Sequence, residues 1–203
     1  MQPSANGLKL IEVFEQLRLS PYLDTSKIYT VGWGHALTTS DGKLISVKVF
    51  GAGLAAKLAA NAMQRTFGKQ VLTAADADAQ LTKDMASRSE HVTKMCAADT
   101  TQAQFDAMLS FCFNIGNANF DASSVRRLHN AGKREVGDIS IHDLNKEAKA
   151  KAATTTMPIS FVRWCNDEGK YSLGLFRRRF AELLVYSGWD TQKAFDLVEQ
   201  FNG

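Results

Sequence analysis

EQLRLSPYLDTSKIYTVGWGHAL, residues 15–37, carries a change of secondary structure that decides the fold. Just before it, Leu8, Leu10, Ile11 and Phe14 recur at helical spacing, which predicts a short amphipathic helix over about 7–14 that ends near Glu15. From Leu17 to Ile45 the residues are rich in Tyr, Thr, Val, Ile and Gly. Turn signals stand at Ser20-Pro21, Asp24-Thr25-Ser26 and Ser40-Asp41-Gly42, which reads as a small antiparallel sheet of short strands and the single β region of the chain. Everything after it is helical in character.

Working outward, helices are expected near 54–65, then from an N-cap at Thr73 through Met95, and at Gln102–Ile115. Further helices are expected near 123–130, 142–152, 159–166, 173–186 and 191–201. The helix over 102–115 carries Phe105, Met108, Leu109 and Cys112 on one stripe, widened by Phe111, Phe113 and Ile115, so it should be buried nearly all round. Residues 150–158, with three threonines and a proline, read as a loop. The fold class is therefore α+β, mainly α. A small lobe (15–72) should join through a bridging helix (73–95) to a larger helical lobe, made of 96–203 with the N-terminal helix 1–14 folded back, and the lobe junction should form a cleft.

With 203 residues, 45% hydrophobic and 22% charged, the chain can bury a substantial core and is neither a disordered chain nor a fibrous repeat. A net charge of +3 is far below that of a dedicated nucleic-acid binder, and no aromatic stacking platform or nucleic-acid motif accompanies the run Arg177-Arg178-Arg179. Cys96, Cys112 and Cys165 are too widely spaced for a metal or redox motif and read as small core residues. The four histidines, His35, His91, His129 and His142, lack metal-ligand spacing such as HExxH, so no metal and no cofactor is expected. No segment approaches the roughly 18 apolar residues that span a bilayer, so stable membrane insertion is not expected. A monomer in the cytoplasm of the producing cell is.

Chemistry concentrates in residues 15–37. Glu15 falls at a helix end, Asp24 in a turn and Thr30 on a strand, so two carboxyl groups on different elements can face each other across a gap. Glycosidic cleavage uses that division: one carboxylic acid protonates the leaving oxygen while a carboxylate works at the opposite face of the sugar. The Thr30 hydroxyl could hold the attacking water. Two acids and a threonine within sixteen residues also occur by chance, as solvated groups at a helix end and a turn.

The pattern E-x8-D-x5-T, set within E-x-L-R-L, Y-x-D and Y-T-V-G-x-G-H, resembles the phage-type lysozymes, the endolysin muramidases of glycoside hydrolase family 24. Residues 103–132 are similar to that family's central helix and following turn, and residues 161–188 to its late W…GL-x-RRR-x-AE segment. Residues 133–158 and 189–203 are the least family-like.

The resemblance implies a lysozyme-like fold in which Glu15 is the general acid, while Asp24 and Thr30 position and activate water. It implies hydrolysis of the β-1,4 bond between N-acetylmuramic acid and N-acetylglucosamine in bacterial peptidoglycan, with inversion, and release to the wall through a holin-type membrane lesion. It further implies that His35 pairs with Asp84 on the bridging helix. Arg177 would turn toward the cleft and pair with Glu15. Asn114, near the end of the central helix, is a candidate to hydrogen-bond a sugar N-acetyl or hydroxyl group, and Phe113 is a candidate substrate contact that reads equally as core or as cleft wall. Gly32 and Gly34 beside Trp33 read as backbone room at a tight sheet bend. A wall-binding protein of the same fold without activity, a chitin-directed glycosidase and a transglycosylase are the alternatives; the intact triad disfavours the first, and the water-holding Asp/Thr pair disfavours the last.

Overall fold

The computed structural model describes residues 1–138, 140–150, 155–167 and 169–203. In chain order the elements are α1 (Ala5–Glu12), β1 (Arg18–Leu23), β2 (Tyr29–Gly32), β3 (His35–Ala36), α2 (Val47–Phe50), α3 (Ala52–Phe67), α4 (Ala74–Met95), α5 (Gln102–Ile115), α6 (Asn117–Ala122), α7 (Ser124–Asn130), α8 (Ile141–Ala150), α9 (Met157–Val162), β4 (Asn166–Asp167), β5 (Lys170–Tyr171), α10 (Leu173–Tyr186) and α11 (Thr191–Glu199). The protein is mostly helical with a small antiparallel sheet, and it divides into two compact units, residues 15–85 and residues 1–14 with 86–203, the second boundary falling inside α4.

In unit 15–85, β1, β2 and β3 form an antiparallel sheet in that order, with Tyr22 opposite Thr30 and Val31 opposite His35. One face packs Val31, Leu37 and Ile45 against Ala55, Ala59 and Met63 of α3. The helix expected near 54–65 is longer, and α2 precedes it as a separate turn because Gly51 at φ 73° breaks the path between the two. Thr73 caps α4 in a capping-box arrangement: its hydroxyl accepts the Asp76 N–H at 3.2 Å and the Asp76 carboxylate accepts the Thr73 N–H at 2.8 Å.

In the other unit, α5 is the buried helix. Thr101 and Gln104 form its capping box, and residues Phe105 through Cys112 are all buried. They include Asp106, a polar residue on a helix that otherwise reads as core. Its carboxylate takes the Ser4 N–H at 3.0 Å and the Ser4 hydroxyl at 2.5 Å, tying the N-cap of α1 to α5. A Cβ at Gly7 would meet Asp106 Oδ1 at 2.4 Å, so only glycine lets the two helices approach this closely.

Three expectations are corrected. The β region at 17–45 is not the only one: β4 and β5 form a two-stranded hairpin. The helix expected over 159–166 ends at Val162, with Arg163 as its C-cap, before that hairpin begins at Asn166. The loop expected over 150–158 loses its first residue to α8 and its last two to α9, where Pro158 sits in the first turn, a position at which no backbone N–H is needed; residues 151–154 lie outside the described residues. Cys112 and Cys165 are buried and Cys96 half-buried, and burial pushes the Cys96 and Cys112 thiols up to about 12, which makes both inert.

His129 is fully buried with a partner on each ring nitrogen: the Tyr186 hydroxyl 2.6 Å from Nδ1 and the Thr100 hydroxyl 2.7 Å from Nε2. Thr100 gives its own proton to the Ala97 carbonyl at 2.5 Å, so Nε2 donates to Thr100 and Nδ1 accepts from Tyr186, a neutral ring. Burial, aided by the nearby Arg134 guanidinium, lowers the His129 pKa from 6.5 to about 4. Between those values the unfolded chain takes up a proton that the native ring refuses. The stabilisation is therefore complete above about pH 6.5 and is lost as the pH falls toward 4, by about 3 kcal/mol in all. Urea unfolding midpoints should drop over that window in the wild type, and the His129→Gln profile should be flatter there. Parallel profiles would contradict the assignment.

Candidate active site

Glu15 stands one turn past the end of α1, after Val13 caps the helix and the Phe14 N–H donates to the Ile11 carbonyl at 3.2 Å, and it is half-buried. Asp24 closes β1. A turn follows, in which the Lys27 N–H donates to the Asp24 carbonyl at 3.0 Å and Lys27 takes the left-handed conformation at φ 64°. The Asp24 N–H then donates to the Ile28 carbonyl at 3.0 Å, and the Ile28 N–H donates to Asp24 Oδ1 at 2.8 Å. The carboxylate is thus locked by its own hairpin, and among the described residues none takes up Oδ2.

Thr30 is on β2, 4% exposed, opposite Tyr22 on β1 and Ala36 on β3. Its hydroxyl donates to the Ile28 carbonyl at 3.2 Å, which leaves the oxygen as an acceptor. Tyr22 reports how the acids are arranged. Its pKa is raised above 10, first by burial and then by the negative charges of both Glu15 and Asp24, with Arg18 opposing them. The Arg18 guanidinium lies 5.8 Å from the Tyr22 ring centre. Two carboxylates that are nine positions apart in sequence therefore act on one phenol, and that phenol's strand partner is Thr30. Tyr22 was visible in the sequence only as a letter of the Y-x-D pattern, with no role attached.

Gly32 and Gly34, at φ 66° and 84°, turn the chain from β2 into β3, and a Cβ at Gly32 would come within 3.3 Å of Ala77. Between them, the Trp33 indole N–H donates to Asp78 at 2.7 Å. His35 Nδ1 lies 2.9 Å from Asp84 Oδ2 and 3.1 Å from Oδ1, and Gln80 donates to Asp84 Oδ1 at 2.9 Å. These contacts pin the β2–β3 turn to the first half of α4.

Asn114 and Phe113 end α5 in the other unit. Phe113 is half-buried with the Arg88 guanidinium 4.9 Å from its ring centre. Asn114 is exposed, and its Oδ1 accepts from Arg179 at 2.8 Å, which fixes the amide and leaves its N–H₂ able to donate. Within its own unit, Arg177 Nε and Nη2 donate to the Phe201 carbonyl at 2.9 and 2.7 Å, and Nη1 lies 3.5 Å from Glu199. Its guanidinium clamps the end of α11, because its helical position faces that helix. The rest of the arginine run is turned inward. Arg178 and Arg179 are buried and converge on Glu182, itself 0% exposed, at 3.3 and 3.2 Å, and Ser110 donates to the same carboxylate at 2.8 Å. Three successive arginines gave no sign of this; a glutamate three and four positions on, in a helix otherwise apolar, was the available signal. Among the described residues no group of three or more His, Cys, Asp or Glu could hold a metal ion.

A family model described as phage lysozyme matches residues 12–147. Over 189 residues the chain is 29% identical to an endolysin of Bacillus phage PZA; the match takes in 92% of this chain and 55% of the other, so the chain spans about half the length of that curated relative. Two solved structures are similar over nearly their whole length. An endolysin from Escherichia coli O157:H7 phage FAHEc1 is 27% identical with a TM-score of 0.59, covering 93% of this chain and 94% of that one. The muramidase domain of SpmX from Asticaccaulis excentricus is 26% identical with a TM-score of 0.58, covering 91% and 97%. With the family match extending over two thirds of its length and containing Glu15, Asp24 and Thr30, this chain belongs to the phage lysozyme family.

Proposed function

We propose that the protein is an endolysin-type muramidase that hydrolyses the β-1,4 bond between N-acetylmuramic acid and N-acetylglucosamine in bacterial peptidoglycan. The observation that carries this reading is the arrangement around Tyr22, where the charges of Glu15 and Asp24 act on one phenol whose strand partner is Thr30. Glu15 protonates the leaving glycosidic oxygen as the bond breaks. Asp24 takes the proton of the attacking water: its Oδ1 is held by the Ile28 N–H, so Oδ2 has one fixed direction in which to accept. The Thr30 oxygen, oriented by its donation to the Ile28 carbonyl, accepts a hydrogen bond from the same water. Water attacking opposite the leaving group inverts the anomeric centre. Asn114 and Phe113 serve as sugar contacts, Asn114 through its free amide N–H₂.

The relatives support this chemistry: the two phage proteins are endolysins and the SpmX domain is a muramidase. In its biological setting the enzyme acts as a monomer, accumulates in the cytoplasm of the producing bacterium and reaches the wall through a holin-type lesion. The test is the identity of the new chain ends. Purified peptidoglycan digested with the protein should yield reducing muramic acid ends by mass spectrometry, with the α-anomer appearing first by proton NMR. Anhydro ends would mean a transglycosylase and would overturn the reading.

A further inference from the structure

Beyond the site around Glu15, one cavity has an uncommon lining. It measures about 540 Å³ and is walled by Val136, Asp138, Ser140, Leu184, Ser187 and Trp189, all within the unit that does not contain Glu15, Asp24 and Thr30. That volume lies in the ordinary range for small-molecule sites. Trp189 is 43% exposed although its backbone is fixed on both sides. Its N–H donates to the Leu184 carbonyl at 3.0 Å, its carbonyl accepts from Asn6 at 3.3 Å, and the next two residues start α11, where the Thr191 N–H donates to Asn6 Oδ1 at 2.7 Å. Gly188, at φ 99°, makes the reversal that places it there. A rigid mount thus presents an open indole face, and among the described residues none accepts from the indole N–H.

The polar groups around the indole have defined capacity. Ser187 gives its proton to the Leu184 carbonyl at 2.7 Å and remains an acceptor, while Ser140 accepts the Asp143 N–H at 3.3 Å and remains a donor. Asp138 has no partner among the described residues. None of the described lining residues is Lys, Arg or His, so the cavity suits no phosphate, sulfate or carboxylate. A flat aromatic face, an apolar floor of Val136 and Leu184, and separate donors and acceptors with an acid among them match a neutral pyranose. The C–H face of such a ring stacks on indole while its hydroxyls and amide reach the rim.

We infer that this cavity is a second saccharide site, which holds an N-acetylglucosamine ring of the glycan strand. Asp138 repels the lactyl carboxylate of N-acetylmuramic acid, so of the two alternating sugars the uncharged one is selected. The inference rests on the muramidase reading for the identity of the polymer. Its role is to hold the enzyme on an insoluble strand, where a second contact raises the local concentration of bonds to cut.

The test titrates the neutral β-1,4-linked N-acetylglucosamine tetramer into ¹⁵N-labelled Glu15→Gln protein, in which the ligand stays intact. The Trp189 indole N–H and the amides of residues 136–138, 184 and 187 should shift on saturation. Adding Trp189→Ala should abolish those shifts while leaving any at residues 15–36. In the active chain Trp189→Ala should slow digestion of insoluble walls by roughly tenfold and leave cleavage of a soluble glycan fragment unchanged. Shifts confined to residues 15–36, or equal loss on both substrates, would overturn the second site. A wild-type chain that cuts no wall would instead remove the muramidase reading, and the titration would still decide whether Trp189 binds sugar.

Discussion

Glu15→Gln should abolish hydrolysis of purified peptidoglycan, by about 10²- to 10⁴-fold in turnover, while leaving the fold intact. The amide has the shape of the acid and keeps hydrogen-bonding capacity, but it has no proton to give the leaving oxygen, and unassisted departure of a sugar alkoxide is slow. Asp24→Asn should be nearly as damaging for a different reason. Its Oδ1 can still accept the Ile28 N–H, so the hairpin stays closed, but the base that takes the water's proton is gone. Tyr22 supplies a check that is independent of activity. Its pKa is raised by burial first and by both acids next, so replacing either acid with its amide should lower the Tyr22 pKa in both variants. Measured through the ¹³Cζ shift of labelled tyrosine, a fall on Glu15→Gln places that carboxylate near the phenol. A Glu15→Gln enzyme as active as the wild type would exclude Glu15 as the acid.

The turn from helix to sheet at Glu15 was legible because it is a change of period. Leu8, Ile11 and Phe14 repeat at helical spacing, and the next thirty residues alternate around turn formers. The ends of α5 and α10 were legible for the same kind of reason: Thr101 and Ser172 are cap residues, and the apolar stripes run uninterrupted between cap and breaker. The hairpin β4–β5 was not, since two-residue strands around Gly169 leave no periodic trace, and neither was α6, six residues long after the left-handed Gly116. At the candidate site, motif spacing carried Glu15, Asp24 and Thr30, and local hydrogen bonding explains why Asp24 and Thr30 sit where they do. Spacing could not tell which arginine of three faces what. Adjacent helical residues point about 100° apart, so the choice among Arg177, Arg178 and Arg179 depends on packing against α11 and α5, which one sequence does not encode locally.

That packing leads to the largest stability effect expected of any single substitution here, Glu182→Gln. Glu182 is fully buried between Arg178 Nε at 3.3 Å and Arg179 Nε at 3.2 Å, with Ser110 donating at 2.8 Å. The amide would keep an acceptor for Ser110 but remove a negative charge that two buried guanidiniums share. Breaking such an arrangement from one side costs about 3–5 kcal/mol, because the buried cations lose a charge that offsets part of their desolvation. For a chain of this size that corresponds to a fall in melting temperature of roughly 6–20 °C. Removing charge from both sides should cost less than the sum. In Arg179→Met/Glu182→Leu one of the two buried positive charges and the buried negative charge leave together, and Met can fill the space over Phe111, whose ring centre is 4.9 Å from the Arg179 guanidinium. A double-mutant cycle by urea unfolding should therefore show favourable coupling of more than about 1 kcal/mol between the two positions. Additive losses would show that the two charges do not interact. The double variant should also lose activity, because Asn114 Oδ1 is held by Arg179 at 2.8 Å and a released amide would meet the sugar in many orientations. If Asn114 is a substrate contact, that loss should appear in KM as well as kcat even in variants that remain fully folded at the assay temperature.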